Sequence, residues 1–184
     1  MRLEDEQYEE IKRTVIDTLS LYGIRCIPIS AFEMATKMGI KVIPYSALSE
    51  EKRSAAMRES KDGFSIGSSQ SQEWMIFYND ACESYGRINQ TIMHEIGHYA
   101  MGHIKDGEEE ESEAKFFAKY ALAPPPLIHT FIEHITPDSI RDVFDLSNQA
   151  AQNAYWYYRS WLYNGGSCYT DYEEKILELF KAEC

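Results

Sequence analysis

Apolar residues at Ile11, Val15, Leu19 and Tyr22 recur in steps of four and three, which places them on one face of a helix that Gly23 can close. Ser30 with Glu33 reads as a capping box opening a second helix, and Gly39 as its end. Ile40 to Tyr45 then reads as a short strand, with Pro44 suggesting a sheet edge. The charged stretch 46–60 is helical or loose. Gly63–Gly67 and Trp74–Tyr78 have the pattern of strands, joined by the polar turn segment Ser68–Glu73. A long helix is expected from about Ser84 to His103, and another from about Glu109 to Leu122, stopped by Pro124-Pro125-Pro126.

The remainder reads as helical. Pro137 suits a first helical position, and Ser147 can cap a Tyr/Trp-rich helix ending at Asn164-Gly165-Gly166. Thr170 with Glu173 makes a further capping box. Helices, a small cluster of strands and more helices give an α+β class. Two parts are expected: residues 1–125, and a helical C-terminal region, 126–184, packed on them.

Composition narrows the function. The 184 residues carry 18 Lys+Arg against 30 Asp+Glu, a net charge of −12. Phosphate binding is driven by basic side chains releasing counterions, so nucleic acid is disfavoured as a direct partner. Ser139–Leu162 has a faint helix-turn-helix look, but residues 126–184 hold four basic and nine acidic residues, the wrong balance for reading DNA. No stretch approaches the roughly 18 apolar residues of a membrane span. Met1–Glu10 is acidic and lacks the layout of a secretory signal, which points to the cytoplasm. Cys26, Cys82, Cys168 and Cys184 include no CxxC pair, so reduced thiols without a special role are expected.

The chemistry concentrates in His94-Glu95-Ile96-Gly97-His98, an H-E-x-x-H motif inside a helical segment. Positions i and i+4 differ by about 40° around a helix and about 6 Å along it, so both imidazoles address one point. Two neutral imidazoles suit Zn²⁺, and Glu95 can reach a water there without ligating the metal. With five His and 21 Glu in the chain, shuffling produces this pentapeptide in roughly one or two sequences per hundred. Its context adds weight. Ile92, Ile96 and Tyr99–Ala100 set the helix against a core, where buried His and Glu require partners. A catalytic zinc also needs a third protein ligand. Within Glu108–Glu113, Glu113 shares a stripe with Phe116, Phe117 and Tyr120 and should face inward, with Glu110 and Glu111 as the alternatives.

The remaining candidates are less defined. His103, five residues beyond His98, would sit about 140° round a continuing helix, outside the ligand face, and should bond locally. His129, His134, Tyr78 and Tyr99 are candidates to steady an oxyanion. Tyr155, Trp156, Tyr157, Tyr158, Trp161 and Tyr163 make one helix densely aromatic. Core packing accounts for most of them, and the rest could serve an interface.

Two segments together, His94–His103 and Glu111–Pro124, resemble the ImmA/IrrE-type metallopeptidases, prokaryotic and phage zinc proteins of gluzincin type. The resemblance extends upstream through Asp62–Ile66, the strand ending at Asn79 and the Gly39–Val42 step, covering about residues 5–126. It implies a small gluzincin-like metallopeptidase domain over 1–125 with a helical C-terminal extension. It also implies His94, His98 and Glu113 as zinc ligands and Glu95 as the catalytic base. The implied activity is zinc-dependent endoproteolysis of a separate helix-turn-helix repressor, relieving repression in a phage, mobile-element or stress response. The alternative is an anti-repressor or toxin–antitoxin component that binds a regulator without cutting it, with zinc structural.

Overall fold

The computed structural model describes residues 2–67, 73–103, 107–166 and 168–181. It begins with α1 (Asp5–Leu21), which buries Ile11, Val15, Ile16 and Leu19 and ends ahead of Gly23 at φ +61°. Next comes α2 (Ala31–Met38). The Ser30 side chain accepts from the Glu33 amide, and Gly39 at φ +75° closes the helix. The expected reciprocal half of that box is replaced, because the Glu33 carboxylate pairs with Lys37 at 2.7 Å.

Strand β1 (Lys41–Pro44) leads into α3 (Glu50–Glu59), then β2 (Gly63–Gly67) and β3 (Trp74–Tyr78). The sheet order is β1-β3-β2, with β1 parallel and β2 antiparallel to β3. Pro44 therefore lies on an edge strand, as its missing N–H requires. Residues 68–72 of the expected β2–β3 turn lie outside the described residues.

Two helices follow that carry the site, α4 (Tyr85–Ala100) and α5 (Glu108–Leu122). The C-terminal part contains α6 (Pro125–Phe131), α7 (Pro137–Phe144), α8 (Asn148–Tyr163) and α9 (Asp171–Lys181). The proline run stops α5 and also starts α6, since Pro is tolerated in a first helical turn. Thr170 and Glu173 form both halves of their capping box. The class is α+β, with one small sheet among helices. Among the described residues no helix is long and apolar enough to cross a membrane.

One hydrophobic core joins these elements, from Leu3 and Ile11 through Ile76, Ile92, Ile96 and Phe117 to Ile140, Ile176 and Phe180. Each large apolar side chain so buried contributes about 1.5–3 kcal/mol. α5 packs between α4 and α1, and a Cβ on Gly97 of α4 would meet Phe117 side-chain atoms at 3.2 Å. Asn89 fixes α2 against α4: its amide accepts from the Ala31 N–H at 2.7 Å and donates to the Ile29 carbonyl at 2.9 Å.

Gly86, in the first turn of α4, abuts the turn between α7 and α8. A Cβ there would lie 2.6 Å from the Ser147 nitrogen and 2.7 Å from the Leu146 carbonyl carbon, both backbone atoms that cannot yield cheaply. Gly86→Ala is expected to destabilise the protein by about 1–3 kcal/mol, read as a lower denaturation midpoint at unchanged slope.

The cysteine expectation needs correction at one position. Cys26 is disulfide-bonded, while Cys82 and Cys168 are free; Cys184 lies outside the described residues.

Candidate metal centre

α4 owes its start to Ser84, whose side chain accepts from the Arg87 amide, and its seat to Ile92, Met93 and Ile96, all fully buried. With that face fixed in the core, His94 and His98 project together toward α5. Their Nε2 atoms are 3.2 Å apart. The third group beside them is Glu111, whose Oε1 lies 3.4 Å from His98 Nε2 and whose Oε2 lies 3.7 Å from His94 Nε2. These three residues are a group able to hold a metal ion.

A tetrahedral zinc site with bonds of about 2.0–2.1 Å has its donor atoms about 3.3 Å apart. The two imidazole nitrogens, 3.2 Å apart, lie close to that edge length, and each faces a different oxygen of Glu111, at 3.7 Å from His94 and 3.4 Å from His98. Two imidazoles and one carboxylate are also a donor set that zinc accepts. The residues present therefore fit the ion.

The structure thus places Glu111, not Glu113, beside the histidines. Glu113 does face inward, only 16% exposed, but its Oε2 lies 2.9 Å from His103 Nε2. The difference follows from helix geometry, since residues two apart point about 200° away from each other. Glu111 shares its face with Ala114, Lys115 and Ala118, at +3, +4 and +7. Phe116 instead turns toward α1 and α8, with its ring 4.6 Å from Tyr8 and 5.7 Å from Tyr157. Lys115 and Ala118, not Phe116 and Tyr120, mark the side of α5 that faces the cleft. They were the available signal for Glu111.

Electrostatics keep the donors ready. Burial, reinforced by the neighbouring His98, pushes the His94 pKa down to about 4, so its ring is neutral with a lone pair to offer. Burial alone would raise the Glu111 carboxyl. The Lys115 ammonium at 3.3 Å counters it, and Glu111 is held below its ordinary value, hence ionised.

Glu95 is 8% exposed and lines the same cleft, and its Oε2 accepts from Ser65 Oγ at 2.7 Å. Strand periodicity explains that contact. Ser65 is paired with Ile76, which is fully buried beneath α4, so both side chains share the sheet face turned to the helix. Phe64 and Phe77 occupy the other face and stack at 5.3 Å. The cleft holds about 530 Å³ and is open, bounded by β2, α4 and α5, with Arg87, Gln90, Thr91 and Lys115 along its walls. None of the expected oxyanion candidates lines it. Tyr99 packs edge-on against Trp74, Tyr78 against Phe32, and His129 bonds Tyr158, while His134 is solvent-exposed.

Ser65 itself is not evident from the sequence. A hydrogen bond to a charged group is worth about 1.5–3 kcal/mol. Ser65→Ala is accordingly expected to cut turnover by about tenfold while metal content stays unchanged, separable by assaying both on one preparation.

His103 is also placed differently from a residue on a continuing helix. α4 ends at Ala100, and Gly102 at φ +71° turns the chain back, a conformation glycine adopts without steric cost. His103 then bonds His98 Nδ1 through its own Nδ1 at 2.9 Å.

No curated protein matches the chain in a sequence search. A family model does match, that of the IrrE N-terminal-like domain, Peptidase_M78, over residues 35–154. That span runs from within α2 to within α8 and includes both site helices. With H-E-x-x-H at 94–98 beside Glu111, the chain belongs to the IrrE N-terminal-like family of peptidases.

Proposed function

We propose that the protein is a zinc-dependent endopeptidase whose metal is held by His94, His98 and Glu111. The observation that carries this reading is the gathering of two imidazole nitrogens and one carboxylate oxygen within 4.8 Å of one another in an open cleft, with Glu95 next to His94 in the chain. Zinc held there would supply Lewis acidity, able to make a water acidic near neutral pH and to polarise a carbonyl. Glu95 takes the proton of the attacking water and returns it to the leaving amine. Ser65 donates to the Glu95 carboxylate and so holds it in the cleft.

The cleft favours an extended polypeptide. In the three-stranded sheet β2 is an edge strand, and it runs along the cleft beside Glu95. An extended chain can add to such an edge through main-chain hydrogen bonds, which would draw its scissile bond past the histidines.

The substrate we propose, from the family resemblance, is a separate helix-turn-helix repressor whose cleavage relieves repression. A repressor acts on DNA in the cytoplasm, which would place the peptidase there. The net charge of −12 suits a protein that docks to a basic partner and does not hold DNA itself. The test is incubation of the purified protein with the repressor encoded beside its gene, with zinc and with chelator. Zinc-dependent cleavage supports the reading. An intact repressor under every condition, bound as tightly by Glu95→Gln as by wild type, would identify a non-proteolytic anti-repressor instead.

A further inference from the structure

Glu113 and His103 do not touch the space between the three donor atoms, yet they are joined to it. Glu113 Oε2 lies 2.9 Å from His103 Nε2, and His103 Nδ1 lies 2.9 Å from His98 Nδ1. His98 and His103 side chains are 7% exposed and Glu113 is 16% exposed, so water cannot readily substitute for any link. The carboxylate is oriented in turn by α1, where Gln7 Nε2 reaches Glu113 Oε1 at 3.4 Å.

With both rings neutral and Glu113 ionised, the two 2.9 Å contacts place the hydrogens. A neutral imidazole has one N–H and one bare nitrogen, and an ionised carboxylate can only accept. His103 Nε2 must therefore carry the hydrogen that meets Glu113. His103 Nδ1 is then bare and can only accept, so His98 Nδ1 carries the hydrogen between the two rings. That leaves His98 Nε2 bare, and it is the atom facing His94 and Glu111. The opposite arrangement would set the His103 Nε2 lone pair against the carboxylate and place a hydrogen on His98 Nε2, where a metal must bind.

We infer that Glu113 and His103 are positioning residues, a carboxylate–imidazole relay that fixes the tautomer and direction of His98 so that its Nε2 lone pair faces the metal. The inference rests on the metal-centre reading above. It also accounts for an inward carboxylate on α5 that ligates nothing, and for the turn at Gly102, which brings the His103 ring within 5.0 Å of the His98 ring. Outer partners of this kind typically change metal affinity by about 10–100-fold when lost.

Two measurements test it. Nitrogen-15 NMR of the histidine side chains in metal-free wild-type protein should show His98 protonated at Nδ1 and bare at Nε2, with His103 protonated at Nε2. Zinc affinity, read by competition with a chromophoric chelator, should weaken by about 10–100-fold in His103→Phe and Glu113→Leu. It should stay near the wild-type value in Glu113→Gln, whose amide oxygen can still accept from His103. Thermal melts confirm that each variant is folded, and the wild-type tautomer measurement needs no variant.

A His98 protonated at Nε2 overturns the relay, as does wild-type zinc affinity in both His103→Phe and Glu113→Leu. Loss of zinc in Glu113→Gln as complete as in His94→Ala would make Glu113 a ligand and also overturns it. A wild-type protein no better at holding zinc than His94→Ala is a distinct outcome. It removes the metal-centre reading on which the relay depends.

Discussion

Glu95→Gln is expected to lower peptide cleavage by about 10²–10⁴-fold, the range typical of losing a general acid–base group, with bound zinc unchanged. The amide keeps the size and planarity of the carboxylate and can still accept from Ser65 Oγ, 2.7 Å from the present Oε2. What it cannot do is take a proton from water near neutral pH. Glu95 does not belong to the group of donor atoms formed by His94, His98 and Glu111, so the substitution removes no ligand. The variant should bind an intact substrate and hold it. Unaltered turnover would mean that the proton goes elsewhere and that Glu95 has only a structural part.

The second large effect is expected at Glu111. Glu111→Gln removes the one anionic donor of the group, and zinc binding should weaken by more than the roughly 10–100-fold cost of losing an outer partner. Cleavage should fall in proportion to metal occupancy and recover in part at high zinc. The fold should not suffer. Glu111 is 40% exposed and its ion pair with Lys115 involves a lysine that is 70% exposed, so a stability change within about 0.5 kcal/mol is expected. Lost zinc at preserved stability distinguishes a ligand from a packing residue. The same substitution at Glu113 should leave zinc in place, a contrast that separates the arrangement seen here from the ligand set suggested by the Glu113 stripe.

The contrast between these two glutamates shows where sequence reasoning holds and where it stops. His94 and His98 are legible because their relation is local: one helical turn fixes it, and the buried Ile92 and Ile96 set the direction of the face. The strands and most helix ends are legible for the same reason, since Ser30, Ser84 and Ser147 act as caps within a few residues. Glu111 depends on how α5 sits among neighbours. α5 is packed on two sides, so "inward" has two meanings along it. Phe116 and Tyr120 mark the side toward Tyr8 and Tyr157, and Lys115 and Ala118 mark the cleft. Helical periodicity alone cannot tell those apart.

His103 and Ser65 depend on similar non-local facts. The first requires that Gly102 adopt a left-handed conformation in place of another helical turn. The second requires the β2–β3 register, which sets Ser65 opposite Ile76 and under α4. Cys26 likewise gives no local sign of its disulfide. The coarse α+β class survives all of this because it rests on the pattern of elements and not on how they are oriented.

Zinc counted per chain in wild type and Glu111→Gln, purified side by side, decides whether Glu111 completes a zinc centre with His94 and His98. A single tightly held zinc is expected in the wild-type protein and little or none in the folded variant. Full zinc in Glu111→Gln, or none in the wild type, would contradict that assignment.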